Sequence, residues 1–387
     1  MKQPIYLDYN ATTPVDPRVK EAMLPYLGEH FGNPSTGYIY GLKAKLAVDR
    51  AREQVAALIG ASPGEIVFTS GGSESDNQAI IGTALAHMAS GKHIITSSIE
   101  HPAVLNTCRY LEERLGYRIT HLPVNEYGLV DPEDVRRAIS NETVLISVMH
   151  ANNEVGTIEP IEEIGEIAGQ KGIVFHTDAA QTGGKIGVDV NRLRVDLLTL
   201  AGHKLYAPKG IGILYIREGT IIDSLIHGAG QERGRRAGTE NVPYIVGLGK
   251  ACEIARQELP EYSTKIKALR DKLQERIVKG LGSNKVHVNG YLEKRLPNTL
   301  NISLHGIIGE DLLGRIPAIA ASTGAACHAG STEPSNVLLE MGLSREWALG
   351  ALRLSLGRRS TQEDVDLAAD LIVKHYQTLD GIRFGGL

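Results

Sequence analysis

Lys204 stands shortly after an apolar, strand-like run at residues 196–200. Open α/β sheets bind ligands outside the carboxyl ends of their strands, which is where this side chain would then lie. A lysine amine that is buried near cationic groups loses its proton more easily and can form a Schiff base. The alternative is a solvated surface charge, the usual state of a single lysine. Two nearby lysines compete for the same role: Lys185 and Lys209.

Asp178 directly follows a second apolar run, at residues 173–177. It would therefore face the same crevice at the edge of the sheet. A carboxylate beside a pyridinium nitrogen keeps that nitrogen protonated and makes the ring an electron sink. Without a cationic ring nearby, Asp178 would be only a helix cap.

A glycine pair lies between a strand-like run and a helical pattern in the segment Thr-Ser-Gly-Gly-Ser-Glu-Ser at residues 69–75. Glycines let the backbone approach an anion, and the start of a helix offers unpaired N–H groups to it. Ser73 and Ser75 would add hydroxyl donors. The segment matches neither the P-loop nor the dinucleotide pattern, and a serine-capped turn with no ligand is an equal alternative.

Cys327 lies in a loop of small residues, 322–334, next to His328. An accessible polar setting beside a histidine favours a reactive thiolate, whereas most isolated cysteines are inert packing. Cys108 and Cys252 lie inside helical patterns and fit that second description. We predict three free thiols, because no CxxC or disulfide framework is present.

Arg353 is a lone charge in the apolar run at residues 352–357. A buried arginine needs a partner, which could be the carboxylate of an amino-acid substrate or an internal Asp or Glu. The thirteen histidines include no HExxH and no close pair at ligand spacing, so we predict no metal site.

Composition limits the classes of function. The chain has 387 residues, enough for two or three domain-sized units, and its 42% hydrophobic and 22% charged residues are ordinary globular values. A net charge of -4 argues against a general binder of nucleic acid or anionic membranes. Neither a membrane-length apolar stretch nor a secretory leader is present, so we predict a cytoplasmic location.

Apolar runs alternate with helical patterns from about residue 64 to 217, which indicates βα units around a mostly parallel sheet. The runs lie at residues 65–69, 93–96, 118–122, 144–149, 173–177, 196–200 and 211–216. A long helix broken at Pro260 follows, then strands at 286–288 and 299–304, and a helix from the capping box at 360–363 to about 378. We predict an α/β large domain over 16–255 and a smaller α+β domain over 256–387 together with 1–15.

Taken together, these segments resemble the cysteine desulfurase and selenocysteine lyase family, which are class-V-aminotransferase-like, fold-type-I pyridoxal-phosphate enzymes. The resemblance covers essentially the whole chain. Its motifs are residues 6–14, 31–34, 68–75, 100–101, 150–154, 176–181, 202–204 and 236–239, the loop around Cys327, and Arg353. It implies a mostly parallel mixed sheet flanked by helices, a C-terminal domain carrying the cysteine loop, pyridoxal 5'-phosphate as cofactor, and a homodimer.

The resemblance also implies a role for each site residue. The catalytic residues would be Lys204 as cofactor attachment and base, Cys327 as sulfur acceptor, and His101 stacked on the ring and managing the thiol proton. The other ring contacts would be Asp178 to the pyridine nitrogen, Gln181 to the phenolic oxygen, and Asn153. The phosphate would be held by Gly72, Ser73, His203 and, from the neighbouring subunit, Thr239. The substrate carboxylate would be bound by Arg353 with Ala11, Thr12 and Asn153.

Two departures from the family pattern concern the cofactor and the substrate. Ala201 stands where the family has Ser or Thr, so one hydroxyl contact to the phosphate would be lost. The loop at 324–328 and Tyr38 resemble selenocysteine lyases, whereas the loop length up to Pro334 resembles the desulfurases that supply iron–sulfur assembly. Both L-cysteine and L-selenocysteine stay open as substrates, with a sulfur acceptor such as an iron–sulfur scaffold as a possible partner. An aminotransferase on the same scaffold is a third possibility.

Overall fold

A seven-stranded sheet forms the centre of the computed structural model, which describes residues 3–324 and 333–384. Its strands are β2 (Ile66–Thr69), β3 (His93–Ser97), β4 (Arg118–Leu122), β5 (Thr143–Ser147), β6 (Val174–Asp178), β7 (Leu197–Ala201) and β8 (Gly212–Ile216). They lie in the order β2-β8-β7-β6-β5-β3-β4, and only β8 runs antiparallel to its neighbours. The mostly parallel mixed sheet is confirmed, and each of the seven predicted runs forms one of its strands.

Helices cover both faces of this sheet, which is why its inner strands are buried along their length and do not alternate between apolar and exposed residues; the edge strand β4 is partly exposed. Ile94 packs in a core with α3 and α4, whereas its neighbour Ile95 packs in a core with α2, α6 and α8, because successive strand residues point to opposite faces. The helices are α1 (Pro17–Leu27), α2 (Ile39–Ile59), α3 (Gly72–Ala86), α4 (Pro102–Leu115), α5 (Pro132–Ala138), α6 (Ile161–Lys171), α7 (Val190–Leu193), α8 (Val242–Leu281), α9 (Gly309–Gly314), α10 (Asn336–Glu340), α11 (Arg345–Leu349) and α12 (Gln362–Phe384).

A second, antiparallel sheet contains the strands predicted in the C-terminal part of the chain. Its order is β12-β10-β9, where β9 is Val286–Asn289, β10 is Thr299–Leu304 and β12 is Ala351–Ser355. The start of the chain joins this region: β1 (Ile5–Tyr6) pairs with β11 (Ile319–Ala320), and the Ser355 N–H donates to the Leu7 carbonyl at 2.8 Å. The N-terminal segment therefore belongs with the smaller sheet and leads from it toward the larger one.

The predicted break at Pro260 is wrong, because α8 is a single helix of 40 residues that runs through this proline. Proline removes one intrahelical hydrogen bond, but burial on both sides of it holds the helix together: Ala255 packs in the core of the large sheet, and Tyr262 and Ile266 pack in that of the small sheet. The predicted domain boundary at 255/256 falls inside this helix.

Among the described residues, none of the helices combines the length and the hydrophobicity that a membrane span requires.

The capping box of the last helix lies one residue later than predicted. The Asp364 N–H donates to the Thr361 hydroxyl at 3.1 Å, and the Thr361 N–H donates to the Asp364 carboxylate at 3.0 Å. Ser360 instead accepts the Gly357 N–H at 3.0 Å and closes the turn before the helix. Asp serves here in place of Glu at the third helical position, so the prediction chose the wrong register. The helix also extends to Phe384, beyond the predicted end.

A buried ion pair ties α2 to the segment after the large sheet. The two terminal guanidinium nitrogens of Arg52, Nη1 and Nη2, each donate to the Glu232 carboxylate at 2.7 Å, and the Phe68 N–H donates to the same carboxylate at 3.0 Å. Arg52 also donates to the Ile66 carbonyl at 2.7 Å. Removing one partner would leave the other charge buried and unpaired.

We expect Glu232→Gln to destabilise the protein by about 3 kcal/mol or more, because Arg52 would keep its buried charge without a carboxylate. Urea unfolding followed by circular dichroism measures this loss. The matched control is Asp49→Asn, which breaks the exposed Lys45–Asp49 pair on the same helix and should cost under about 0.5 kcal/mol. Equal effects of the two substitutions would contradict the argument.

Candidate active site

Lys204 lies where the N-terminal segment meets the edge of the large sheet. It ends a short 3-10 turn, Gly202–Lys204, that follows β7. Its amine donates to the backbone carbonyl of Asn10 and, at 2.8 Å, to that of Ala11. Thr13 fixes the crossing, since its N–H and its hydroxyl both donate to the His203 carbonyl at 2.9 Å. The lysine is thus held by backbone oxygens from a distant part of the chain.

The Lys204 amine has a pKa of about 8, well below its ordinary value. Burial is the largest cause, and the Arg353 guanidinium lowers the pKa further. Asp178 and Asp8 oppose this by favouring the charged amine. A lysine in this setting is poised to exchange a proton near neutral pH, which is what a nucleophile or general base requires.

Asp178 ends β6 with its carboxylate buried at the same edge of the sheet. It accepts the Ala180 N–H at 2.8 Å. Burial raises the pKa of Asp178, whereas the Ala180 hydrogen bond, Lys204 and, in its protonated form, His101 favour the ionised carboxylate. A cation brought to this carboxylate would keep it ionised.

His101 caps the N-terminus of α4, where its Nδ1 accepts the Ala103 N–H at 3.1 Å. This bond leaves Nε2 as the nitrogen that carries the proton in the neutral ring. Loss of surrounding water lowers the pKa of His101; Lys204 lowers it further, and Asp178 opposes the shift. The ring is therefore an uncharged group near both residues at neutral pH.

The glycine turn at the start of α3 is the segment that the sequence predicts to be an anion cradle. Gly71 has φ +154°, and a Cβ added at Gly72 would lie 3.3 Å from the Ala201 Cβ, so the helix start rests directly on the end of β7. Ser73 is exposed there. Ser75 is not an extra donor to a ligand, because it is buried and its hydroxyl contacts Thr69 at 2.8 Å. The site of the Ala201 departure therefore borders the cradle.

His203 stands beside the cradle with its Nδ1 3.2 Å from the Thr12 hydroxyl. Burial, with Lys204 and other cations around it, lowers the pKa of His203 to about 4. The ring is neutral at pH 7, so it can offer a hydrogen-bond donor to a phosphate but no positive charge.

Arg353 has an internal carboxylate partner. On β12 it donates to Asp8 at 2.9 Å and to the Asn153 carbonyl at 3.3 Å. Its Nε is buried without a hydrogen-bond partner among the described residues. The Asp8 contact was one of the two alternatives for this arginine, and the unpartnered nitrogen leaves capacity for a second one.

Asn10 and Lys185 join the site, although no role was predicted for Asn10 and Lys185 was considered only as a rival to Lys204. Gln181 donates to the Asn10 carbonyl at 3.0 Å and accepts from the Lys185 amine at 2.7 Å. Lys185 also donates to the Asn10 side-chain oxygen at 3.1 Å. The four-residue spacing of Gln181 and Lys185 was the available signal. Lys209, the other rival, is exposed.

Two expected site residues stand apart from this arrangement. Cys327 lies outside the described residues. Thr239 is exposed and lines a separate small cavity with Ser70 and Gly210. The other two cysteines, Cys108 and Cys252, are buried in helices, and burial raises the pKa of each thiol to about 12. Neither of them is reactive at neutral pH.

The arrangement suits a ligand with three features. A carbonyl carbon could react with Lys204, a cationic ring nitrogen could pair with Asp178, and an anionic group could occupy the cradle at Gly72. These residues come from separate parts of the sequence and meet at the carboxyl edge of one sheet.

Comparison with known proteins identifies the family. The class-V aminotransferase family matches residues 5–367. A protein named cysteine desulfurase IscS from Methanosarcina thermophila is 53% identical over 377 residues, which cover 97% of this chain and 92% of that one. One of the same name from Dictyoglomus turgidum is 48% identical over 381 residues, covering 98% and 96%.

Solved structures agree. A protein described as NifS-like is 40% identical with a TM-score of 0.91, and the match covers 97% of this chain and 100% of that one. A structure described as SspA in complex with cysteine is 42% identical with a TM-score of 0.81, covering 91% and 98%. The resemblance found in the sequence is thereby confirmed: this chain belongs to the class-V aminotransferase family, in the group of the cysteine desulfurases.

Proposed function

We propose that this protein is a pyridoxal-phosphate-dependent cysteine desulfurase. It converts L-cysteine to L-alanine and leaves the sulfur on Cys327 as a persulfide. One observation carries the proposal: the Lys204 amine, whose pKa is lowered to about 8, lies close enough to the buried Asp178 carboxylate for each group to shift the pKa of the other. The family relationship supports the same activity. The reaction balances, because one substrate thiol and one enzyme thiol give alanine and one enzyme persulfide.

The residues of the site fit the cofactor. When bound, pyridoxal phosphate supplies an electron sink for negative charge at the substrate α-carbon. Lys204 would hold its aldehyde carbon, with Asp178 at the ring nitrogen and Gln181 at the phenolic oxygen. His101 and Asn153 would flank the ring. The phosphate would be bound by residues of the cradle and of the neighbouring chain: Gly72, Ser73, His203 and Thr239 of the partner subunit.

The protein's own residues then handle the substrate. Arg353 binds the α-carboxylate through the side that Asp8 leaves free, with the Ala11-Thr12 turn and Asn153 beside it. The Lys204 amine removes the α-proton and holds it at Nζ, which its lowered pKa allows near neutral pH.

Sulfur transfer falls to the thiol at position 327. His101 carries its proton on Nε2 and can donate a hydrogen bond to the ionised thiol, and the Cys327 thiolate takes the sulfur as the carbon–sulfur bond breaks. The persulfide passes to an acceptor protein, for which an iron–sulfur scaffold is our proposal. The same groups could handle L-selenocysteine, in which case selenium leaves with the same alanine product.

We further propose a homodimer, because the described structure leaves an apolar surface uncovered along α1, α2 and the segment between them. Phe31 is 72% exposed and Leu46 is 69% exposed. Exposed apolar patches of this kind mark protein interfaces. The patch comprises Leu24, Leu27, Phe31, Tyr38, Ile39, Tyr40, Leu42 and Leu46. The separation of Thr239 from its own chain's Lys204 supports its use in the partner's site.

Cys327→Ala should keep the visible absorbance of the bound cofactor and lose alanine and sulfide release by at least about a hundredfold, because the sulfur loses its acceptor. Both products are quantified with L-cysteine and with L-selenocysteine as substrate. Cys252→Ala, which alters a buried thiol, is the matched control and should keep turnover.

Sulfide release that survives in Cys327→Ala would contradict the proposed mechanism. A strong preference for L-selenocysteine, with L-cysteine acting only as an inhibitor, would make the protein a selenocysteine lyase. Amino transfer that needs a keto acid, with no alanine formed from L-cysteine, would make it an aminotransferase.

Attachment of pyridoxal phosphate to the cofactor-free protein should accelerate with pH up to about 8 and then level off. Only the neutral Lys204 amine can attack the aldehyde, and its fraction rises about tenfold per pH unit below the pKa. Growth of the absorbance band, followed by borohydride reduction and mapping of the adduct to position 204, measures this. Lys204→Ala is the blank. A midpoint near the ordinary lysine value of 10.5 would refute the assignment.

Leu46→Glu should shift the protein toward monomer, because a carboxylate placed in an apolar interface must lose its water. The monomer should also retain less cofactor, since the Thr239 contact would be missing. Sedimentation velocity and cofactor absorbance report the two effects. Leu367→Glu, at a similarly exposed leucine on α12, is the control and should change neither. An unchanged dimer in Leu46→Glu would exclude this surface.

A further inference from the structure

Lys185 is a buried lysine that the proposed mechanism does not use. Only 4% of it is exposed, and its amine donates to Gln181 Oε1 at 2.7 Å and to Asn10 Oδ1 at 3.1 Å. Both partners are amide oxygens, not carboxylates. Burying a lysine costs free energy, and the nearby Lys204 and Arg353 charges increase that cost. A position this unfavourable for an amine calls for a function.

The amine favours one orientation of the Gln181 side-chain amide. The Lys185 nitrogen has N–H groups for both of its contacts, and as an ammonium it can only donate, so the atom of Gln181 that faces it is the oxygen. The opposite end of the amide faces the backbone carbonyl of Asn10 at 3.0 Å, which accepts only and therefore requires the NH2 group. The two contacts agree and exclude the flipped amide.

The side-chain amide of Asn10 also has a single orientation. Its NH2 group donates to the Asn153 carbonyl at 3.1 Å, which again only accepts. Its side-chain oxygen receives the amine of Lys185 and, at 2.9 Å, the amide of Asn298. Lys185 thus donates to one amide on the N-terminal segment and to one on the large sheet, and both amides have a single orientation.

The donor end of Gln181 points to the Lys204 side of the site, because its NH2 group and the Lys204 amine share the Asn10 carbonyl as acceptor. We propose that Lys185 is a positioning residue that makes Gln181 a hydrogen-bond donor, and never an acceptor, toward the phenolic oxygen of the cofactor. This inference rests on the proposed function and deepens it.

The consequence is electrostatic. A donor on the phenolic oxygen withdraws negative charge that would otherwise hold the proton on the neighbouring nitrogen of Lys204. That proton is then lost at a lower pH. Without Lys185, only the Asn10 carbonyl would oppose the flipped amide. A flipped Gln181 would turn its oxygen to the cofactor, and the proton would be held more tightly. The titratable and charged groups around Lys204 are Arg353, Asp178, Asp8, His101, His203 and Lys185 itself. Lys185→Met removes only the last of these, and a direct effect of its lost charge would also raise the midpoint when Gln181 is absent.

The test is an absorbance titration of the cofactor-loaded protein, in which the pH midpoint of the visible band reports protonation at the Lys204 nitrogen. Lys185→Met keeps the length of the side chain and removes the donor. We expect the midpoint to rise by about 1 pH unit or more, the equivalent of one lost hydrogen bond. Lys209→Met, at the exposed lysine nearby, should leave the midpoint unchanged.

Two further variants test whether Lys185 acts through Gln181. In a Gln181→Ala background the midpoint should already be raised, and adding Lys185→Met should raise it no further. Lys185→Arg, which keeps donors, should retain the midpoint of the unmodified protein. If Lys185→Met is not recovered folded, Lys185→Leu replaces it, because its side chain also has no donor and should again raise the midpoint.

The outcomes separate the inference from the function on which it rests. A protein that forms no visible band and no borohydride-reducible adduct at Lys204 overturns the proposed function and this inference together. A normal band whose midpoint is the same in Lys185→Met and in the unmodified protein overturns the inference alone. Additive shifts in the double variant also overturn it, because Lys185 would then act independently of Gln181.

Discussion

The structure depends on two backbone carbonyls, those of Asn10 and Ala11, which receive the amine of Lys204. They belong to a segment that follows β1, runs beside the small sheet and crosses to the edge of the large one. Because carbonyls accept without carrying a charge, they hold the amine in place but do not favour its protonated form as a carboxylate would. The lysine is therefore fixed in position and free to titrate. The packing of the two sheets around α8 makes that crossing possible, since the helix contributes to both cores.

Electrostatic repulsion among cations is the second constraint. Lys204, Lys185 and Arg353 lie close enough for each lysine to have its pKa lowered by neighbouring positive charge as well as by burial. Such a cluster costs stability, and Asp8 and Asp178 offset part of that cost. An incoming anionic group meets a site that already favours it, and an incoming ring cation meets Asp178. Clusters of positive charge that lower the pKa of a lysine are common at sites whose chemistry needs a neutral amine near pH 7.

Mostly apolar runs predicted the seven strands of the large sheet well, because strands buried on both faces favour apolar residues on either side, as in β7 and β8. The position of Lys204 and Asp178 followed from the same reasoning. Local rules failed where distant packing decides: α8 passes through Pro260 because both of its halves are buried. Ser75 could not be recognised as structural from its motif, because its bond to Thr69 depends on how the turn folds back. Asn10 had no signal of its own, since its partners lie at least 143 positions away.

Arg353 can bind an internal carboxylate and a substrate carboxylate at the same time. The sequence offered an internal carboxylate or a substrate carboxylate as alternatives, and the structure supplies the first in Asp8. A guanidinium has five donors in a fixed plane, so a single carboxylate on one nitrogen leaves several unused. Asp8 orients the group and prevents an uncompensated buried charge while the site is empty of substrate. The N-terminal segment that holds Lys204 thus also supplies, in Asp8, the carboxylate that stabilises the buried Arg353 charge before substrate binds. One crossing segment therefore fixes the base and, on our proposal, the substrate clamp relative to each other, which is the geometric condition for removing a proton from a bound amino acid.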